Sequence, residues 1–379
     1  MKRENQQPFR IHQYHYSVSR ADGISHQMFF IQSALSKIGI SGSIFASQLN
    51  QIKSPHAFQL NLEQIWNCDL LLIHHSHGNP DLRKLAPIEI PKALVYHNIV
   101  SEKFYPHDPF MAELSHLGRR QLNSLRKETI ASFTGSQFNL LDLKHHHYPN
   151  PQLLPLIDFS KDLAELKTPS IRLLKTEPKN LLFVGRLTPH KNQALLIKTF
   201  FYLKKSLPKG SKLFLVGTQD PTYTEYLKLL TKQLGLSQEV KITGPVTRKS
   251  LENYYEISDA LVCLSEQEGF CIPLVEAMSR HLPIFFHPNT GVQETMGKSG
   301  CALNTQNPWE IAEIISTVLN SNQAMNSLVK SQHRRWVELS REQNSKKVQD
   351  LLLDLLMKLR TTPSLQMNRR GASHFLTQG

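Results

Sequence analysis

The chain has 379 residues, 40% of them apolar, and its 44 lysines and arginines against 31 acidic residues give a net charge of +13. That length exceeds one comfortable core and suits two domains, while no window approaches the ~18 consecutive apolar residues of a membrane span. The basic excess is dispersed, with no zinc-finger spacing, RNP-like aromatic strand or Lys/Arg tract, so it argues against nucleic acid and for a phosphorylated ligand or an anionic membrane surface.

The start, MKRENQQPFR, is charged and lacks the apolar core of a secretory signal. Cys68, Cys263, Cys271 and Cys301 are scattered without a C-x-x-C pair. That predicts a reducing, cytoplasmic setting with neither a disulfide framework nor a structural zinc. The runs FRIHQYHY (9–16), GSIFA (42–46), DLLLIHH (69–75) and KALVYHN (92–98) read as strands, with HQMFFIQSALSKIG (26–39) as a helix among them. A second helix over 109–127 places Phe110, Leu114, Leu117 and Leu125 near one face. Arg119, Arg120, Arg126 and Lys127 recur at a seven-residue interval on another, read as a solvated face, with an anionic-lipid patch as the sharper alternative. The histidines of HHSH (74–77) and of 145–147 lack accompanying carboxylates or cysteines. They predict a solvated turn or a supporting position rather than metal ligands.

Pro149, Pro151, Pro155, Pro169 and Pro178 suit an extended linker around 150–178. Beyond it, NLLFVG (180–185), KLFLVG (212–217), EVKITG (239–244), ALVCL (260–264) and LPIFFH (282–287) alternate with helical stretches. Three of these runs end in glycine, suited to a sharp turn out of a strand. Residues 323–360 read as helical, and the stretch from 361 onwards as a mobile tail. The pattern predicts two doubly wound α/β domains, residues 1–165 and 166–338, with 339–379 forming a helix that packs back on the first domain plus the tail. Ligands of such sheets bind beyond the carboxyl ends of the strands, and with two domains the expected site is the cleft between them.

Chemistry concentrates in two places. In SEQEGFCIPLVEAMSR (265–280), Glu268 sits in the loop leaving a strand, Pro273 is placed as the first residue of the following helix, and Glu276 lies one turn inside it. The free N–H groups and positive dipole end of that helix favour an anion, whereas carboxylates beside it would address hydroxyl groups. A nucleotide-sugar offers both. Arg186 and Lys191 follow the strand ending in Gly185, where a guanidinium fork and an ammonium would neutralise a diphosphate. No G-x-G-x-x-G or P-loop occurs, which disfavours a nicotinamide enzyme or an NTPase.

EGFCIPLVEAM (268–278) resembles the E-G-F-x-x-P-x-x-E-A-M signature of glycosyltransferase family 4, retaining enzymes of the GT-B fold that use nucleotide-sugars. FVGRLTPHKNQALLIKTF (183–200) resembles the family's diphosphate-contacting segment, and VKITGPVTRKSLENYYEISDALVCLS (240–265) its nucleotide pocket. The resemblance spans roughly residues 180–300. It implies two Rossmann-like domains facing across a cleft and a hexosyl-type transfer. With no Asp-x-Asp motif, and Arg186, Lys191 and a helix start supplying positive charge, no metal or other cofactor is expected. The donor would be a nucleoside-diphosphate sugar, and the acceptor a glycan or lipid-linked molecule in polysaccharide or glycoconjugate synthesis, at the inner face of the membrane or in the cytoplasm.

Carried onto this chain, the resemblance makes Arg186 and Lys191 the diphosphate contacts, Glu276 the holder of ribose hydroxyls and Glu268 that of a sugar hydroxyl. Gly185, Gly244, Gly269, Phe270, Cys271, Ile272 and Leu274 complete the donor side. YHNIV (96–100) resembles a strand end whose histidine, His97 here, faces the donor sugar, with Val100 where a subgroup has threonine. SRADGISHQM (19–28) resembles the first phosphate-approaching loop, with Gly23 beside Asp22 where many members carry two glycines. His281 stands where the family has glycine, in a position expected to be left-handed. Gly291 and Glu294 of NTGVQET are expected to pack locally. Alternatives are another GT-B enzyme such as an epimerase, or a non-catalytic nucleotide-sugar-binding or assembly partner.

Overall fold

The computed structural model describes residues 9–19, 22–50, 54–159 and 178–361. The middle of the expected linker, with Pro169, and the expected tail lie outside these residues, as does most of the charged start. The chain divides into two compact units, 1–160 with 342–379, and 161–341.

In the first unit the strands are β1 (Ile11–Ser19), β2 (Ile44–Asn50), β3 (Ala57–Gln59), β4 (Leu70–His75), β5 (Lys92–Tyr96), β6 (Ala131–Thr134) and β7 (Gln152–Leu153). They lie in the order β3-β2-β1-β4-β5-β6-β7, every pair parallel. β4 and β5 are buried along their whole length, the signature of central parallel strands covered on both faces. The helices are α1 (Gly23–Ser36), the short α2 (Leu62–Ile65), α3 (Pro109–Glu128) and α4 (Gln137–His145). On one face of the sheet, Ile31, Ala34 and Leu35 of α1 share a core with Val348, Leu352, Leu356 and Leu359 from the end of the chain. On the other, Leu122 and Leu125 of α3 and Leu143 of α4 pack with Tyr14, Ile73 and Tyr96.

The second unit has β8 (Leu181–Val184), β9 (Leu213–Val216), β10 (Val240–Gly244), β11 (Ala260–Cys263), β12 (Ile284–Phe286) and β13 (Cys301–Ala302). Their order is β10-β9-β8-β11-β12-β13, again all parallel. The helices are α5 (Gln193–Leu203), α6 (Pro221–Gln233), α7 (Arg248–Ile257), α8 (Ile272–Ser279), α9 (Thr290–Met296), α10 (Pro308–Leu319) and α11 (Asn322–Glu342). The last helix, α12 (Ser345–Thr361), belongs to the first unit, and the helical stretch expected over 323–360 is α11 followed by α12. Gln343 enters that unit by accepting from the Leu156 N–H at 2.7 Å, and Gln349 donates to the Ala34 carbonyl at 2.7 Å.

Both sheets reverse direction of growth beside their first strand, between β1 and β4 and between β8 and β11. In a doubly wound sheet this switch point opens a crevice at the carboxyl ends of the two strands. Among the described residues no helix is long and apolar enough to cross a membrane.

Candidate active site

The switch point of the second unit gathers the residues that the motifs single out. β8 runs into Gly185 and Arg186, and β11 into Ser265 and Glu268. The β8 turn is held close to its neighbour: a Cβ on Gly217 would meet the Gly185 carbonyl oxygen at 2.1 Å, and both glycines have positive φ, 150° and 147°. Only glycine permits that approach. Arg186 lies exposed at the rim. Lys191 ends a 3₁₀ turn (Pro189–Lys191), and its ammonium forms an ion pair with Glu268. The two side chains are 18% and 10% exposed, so this charge pair is largely withdrawn from water.

Burial alone would lower the Lys191 pKa, but the Glu268 carboxylate and the nearby Cys271 and Cys263 sulfurs outweigh it, and the ammonium is held more firmly than usual. His190, buried beside it, is pushed well below the ordinary histidine range, first by burial and then by the charges of Lys191 and Arg186. Its ring stays neutral, and its backbone carbonyl accepts from the Glu266 N–H at 2.8 Å, tying the two loops together. Glu268 also accepts from the Ser265 hydroxyl at 3.0 Å, while its N–H donates to the Thr290 hydroxyl at 2.9 Å. Gly291 packs as expected from NTGVQET: a Cβ there would meet the Gly269 carbonyl oxygen at 2.1 Å.

Helix α8 starts at Ile272, so Pro273 is its second residue, not its first, where its missing N–H is still of no consequence. The cap residue Cys271 has φ of 69° and gives the helix no side-chain cap. Glu276 is buried, and each of its carboxylate oxygens has a partner. It accepts from Arg248 of α7 at 2.7 Å and from the Tyr255 hydroxyl at 2.9 Å. Arg280 stacks on the Tyr255 ring at 4.7 Å, clasps Glu252 and donates to the Glu276 carbonyl. Arg248, Glu252, Tyr255 and Arg280 are thus the supports of Glu276 that the motif alone did not disclose. Their signal was present in RKSLENYY, where Arg248, Glu252 and Tyr255 fall at i, i+4 and i+7 on one helical face.

In the first unit, Asp22 rather than a bare loop covers the start of α1. Its carboxylate accepts from the N–H groups of Ile24 at 3.0 Å and Ser25 at 3.2 Å. Gly23 is the first residue of that helix, whose free N–H groups are partly taken. His97 follows β5, with its N–H donating to the His75 carbonyl. Its ring orientation can be deduced. Gln13 Nε2 donates to the Met28 carbonyl at 2.9 Å, so Gln13 Oε1 faces His74 and accepts from His74 Nε2–H at 3.1 Å. His74 Nδ1 must then accept from His97 Nε2–H at 3.0 Å, which leaves the lone pair of His97 on Nδ1. Burial, then the neighbouring His15 and His75, lowers the His97 pKa to about 3, and His74 is likewise lowered well below its usual value, first by burial.

Several expectations change. His74 and His75 are buried strand residues and not part of a solvated turn, because β4 extends through them to the sheet end. His146 lies 3.8 Å from Asp142, a carboxylate that the sequence reading did not pair with it. Phe110 is 72% exposed, and the buried side of α3 is instead Ser115, Gly118, Leu122 and Leu125. Arg119 leaves the supposed basic face to bind Asp142 and the Ile99 carbonyl, and Arg120 pairs with Glu113. His281 is left-handed as expected, φ 54°, and packs against His333 of α11. Two of the scattered cysteines meet. Cys263 and Cys271 place their sulfurs 3.9 Å apart, and with Glu268 their donor atoms lie within 4.8 Å, a spacing able to hold a cation were Lys191 not already on the carboxylate.

Residues 167–335 match the family described as Glycosyl transferases group 1. An uncharacterized glycosyltransferase of Methanocaldococcus jannaschii is 31% identical over 150 residues, 39% of this chain and 37% of that protein. The D-inositol 3-phosphate glycosyltransferase of Mycolicibacterium smegmatis is 27% identical over 165 residues, 42% of this chain and 37% of that one. The chain thus spans less than half the length of these curated relatives. Among solved structures, HepE of Anabaena in complex with UDP and glucose superposes with a TM-score of 0.68 at 15% identity, covering 93% of this chain and all of that one. That likeness shows the fold, the two Rossmann-like units of the GT-B class.

Proposed function

We propose that the chain is a retaining glycosyltransferase that moves a sugar from a nucleoside-diphosphate donor to a glycan or lipid-linked acceptor without a metal ion. The observation that carries this reading is the buried Lys191–Glu268 pair at the second unit's switch point, beside the start of α8 and within the segment similar to group 1 glycosyl transferases. The Lys191 ammonium has three N–H donors and gives one to Glu268, leaving others for a diphosphate oxygen. Arg186 at the rim and the uncapped N–H groups of α8 add positive potential where the leaving diphosphate gains charge, and Gly185 and Gly244 let the backbone come close.

Glu276, held by Arg248 and Tyr255, offers its carboxylate edge to ribose hydroxyls, and Glu268 is set to take a sugar hydroxyl. In the first unit, His97 has its lone pair fixed on Nδ1, an acceptor for a hydroxyl group. No side chain is assigned as a covalent nucleophile. Same-face attack, with the departing phosphate taking the acceptor proton, is consistent with retention. UDP with glucose, the pair seen with HepE, is the first donor chemistry to try.

The test is to incubate the protein with UDP-, GDP- and ADP-sugars, with and without EDTA, and follow donor hydrolysis, water taking the sugar in place of the acceptor, as release of the nucleoside diphosphate. Turnover is expected to survive EDTA, and Arg186→Ala or Lys191→Ala to lower kcat/KM by roughly a hundredfold. Loss of turnover in EDTA, restored by Mg²⁺ or Mn²⁺, would place the positive charge on a metal instead.

A further inference from the structure

The loop that carries Glu268 begins and ends in cysteine. Cys263 closes β11 and is buried, and Cys271 caps α8 and is half-buried. Their sulfurs are in contact at 3.9 Å, and Cys263 Sγ also lies 3.4 Å from the Ser265 hydroxyl, the group that donates to Glu268. Cys271 holds φ of 69°, a conformation that side chains other than glycine seldom adopt. Two thiols in contact need only a rotation and a small loop shift to reach the roughly 2.05 Å of a disulfide bond. Cys68 lies in the first unit, while Cys301 is on β13, two strands away from β11 across the sheet.

We propose that Cys263 and Cys271 form a reversible thiol–disulfide site that closes the 263–271 loop and thereby regulates the donor site. The covalent bond stands on the sulfur geometry alone; its effect on donor use rests on the reading of this site as a nucleotide-sugar site. The oxidant is a hydroperoxide. One thiolate of the pair opens the O–O bond, becoming a sulfenic acid and releasing the other oxygen as hydroxide, which takes up a proton. The second sulfur then displaces the sulfenic oxygen as water, so that two thiols and one hydrogen peroxide give one disulfide and two waters. The pair favours this order, since the bond from Cys271 lowers the Cys263 pKa and so favours a thiolate there. Bond formation draws Cys271 towards β11, breaks the Cys263–Ser265 contact and moves the loop that presents Glu268 to Lys191.

The experiment treats the full chain with graded hydrogen peroxide, alkylates the remaining thiols and weighs the protein and its tryptic peptides. Residues 250–280 form one tryptic peptide containing both cysteines. The expected product is that peptide about 2 Da lighter and unalkylated, restored by dithiothreitol, with Cys68 and Cys301 still alkylated. Cys263→Ser and Cys271→Ser should each abolish the change, while Cys68→Ser should keep it, with melting curves confirming that each variant folds. Alkylation of both cysteines after peroxide, or their irreversible over-oxidation without a disulfide, would overturn the site. Oxidised protein is also expected to bind UDP, GDP or ADP at least tenfold more weakly than reduced protein. Equal affinity of both forms would overturn the regulatory part. Failure of the reduced protein to bind any of the three would instead remove the donor-site reading and leave the disulfide standing.

Discussion

Glu276 shows how little a motif says about the state of the residue it names. Its place in the E-G-F-x-x-P-x-x-E-A-M signature was legible, because the frame of residues around it fixes the position. Its neighbours were half legible: RKSLENYY puts Arg248 and Tyr255 on one helical face, but no pattern aims that face at a residue more than twenty positions later. Removing its charge should therefore have two separable effects. Glu276→Gln leaves Arg248 and Tyr255 with a neutral partner, costing about 1–3 kcal/mol of stability, as the loss of a charged buried acceptor does. If Glu276 also holds ribose, the same change weakens nucleoside diphosphate binding well beyond that of an Arg248→Gln control, measured by calorimetry on both proteins. Equal affinities for wild type and Glu276→Gln would confine the residue to a supporting role. The His97 tautomer was invisible in the sequence, because it depends on Gln13 and His74 meeting across β1 and β4.

At the scale of elements, the central strands were readable and the edges were not. Residues 70–73, 93–96, 181–184 and 213–216 are continuous apolar runs because both faces of those strands are covered. β3, β7 and β13 are two or three residues long at or beside sheet edges, too short for any period to register. The loop between β11 and α8 depends on a close contact that sequence patterning cannot show, that of Gly291 in α9 against the Gly269 carbonyl. Gly291→Ala cannot be accommodated without moving one of the two backbones. It is expected to destabilise the protein by about 1–3 kcal/mol, the usual cost of overpacking, and to weaken nucleotide binding because the displaced segment carries Glu268. Urea unfolding beside a binding titration measures both. An unchanged midpoint would mean that α9 yields freely.

Taken as a whole molecule, the chain should be acid-sensitive in a way its basic composition does not suggest. Burial lowers the pKa of His12 and His75 to about 4 and, with the help of His15 and His75, that of His97 to about 3. The unfolded chain protonates these rings near 6.5, so between pH 6.5 and 4 it binds protons that the folded chain refuses, and stability falls as pH falls. Each ring contributes about 1.4 kcal/mol per pH unit within that window. Urea unfolding from pH 7.5 to 5 should show the decline, and His75→Asn should flatten it by roughly one proton; a flat profile would mean that the rings protonate in place. The division into two parallel-sheet units was legible from the strand–helix alternation, whereas the return of α12 to the first unit rests on Val348, Leu352, Leu356 and Leu359 finding α1, a contact across the length of the chain. The central claim is that the second unit's switch point receives a nucleoside diphosphate through Lys191. Isothermal titration of UDP, GDP and ADP into wild type and Lys191→Ala, in EDTA, tests it directly. One of the three should bind wild type, and the substitution should weaken it at least tenfold while circular dichroism shows an intact fold. Binding of none of them, or equal binding to both proteins, would contradict the account.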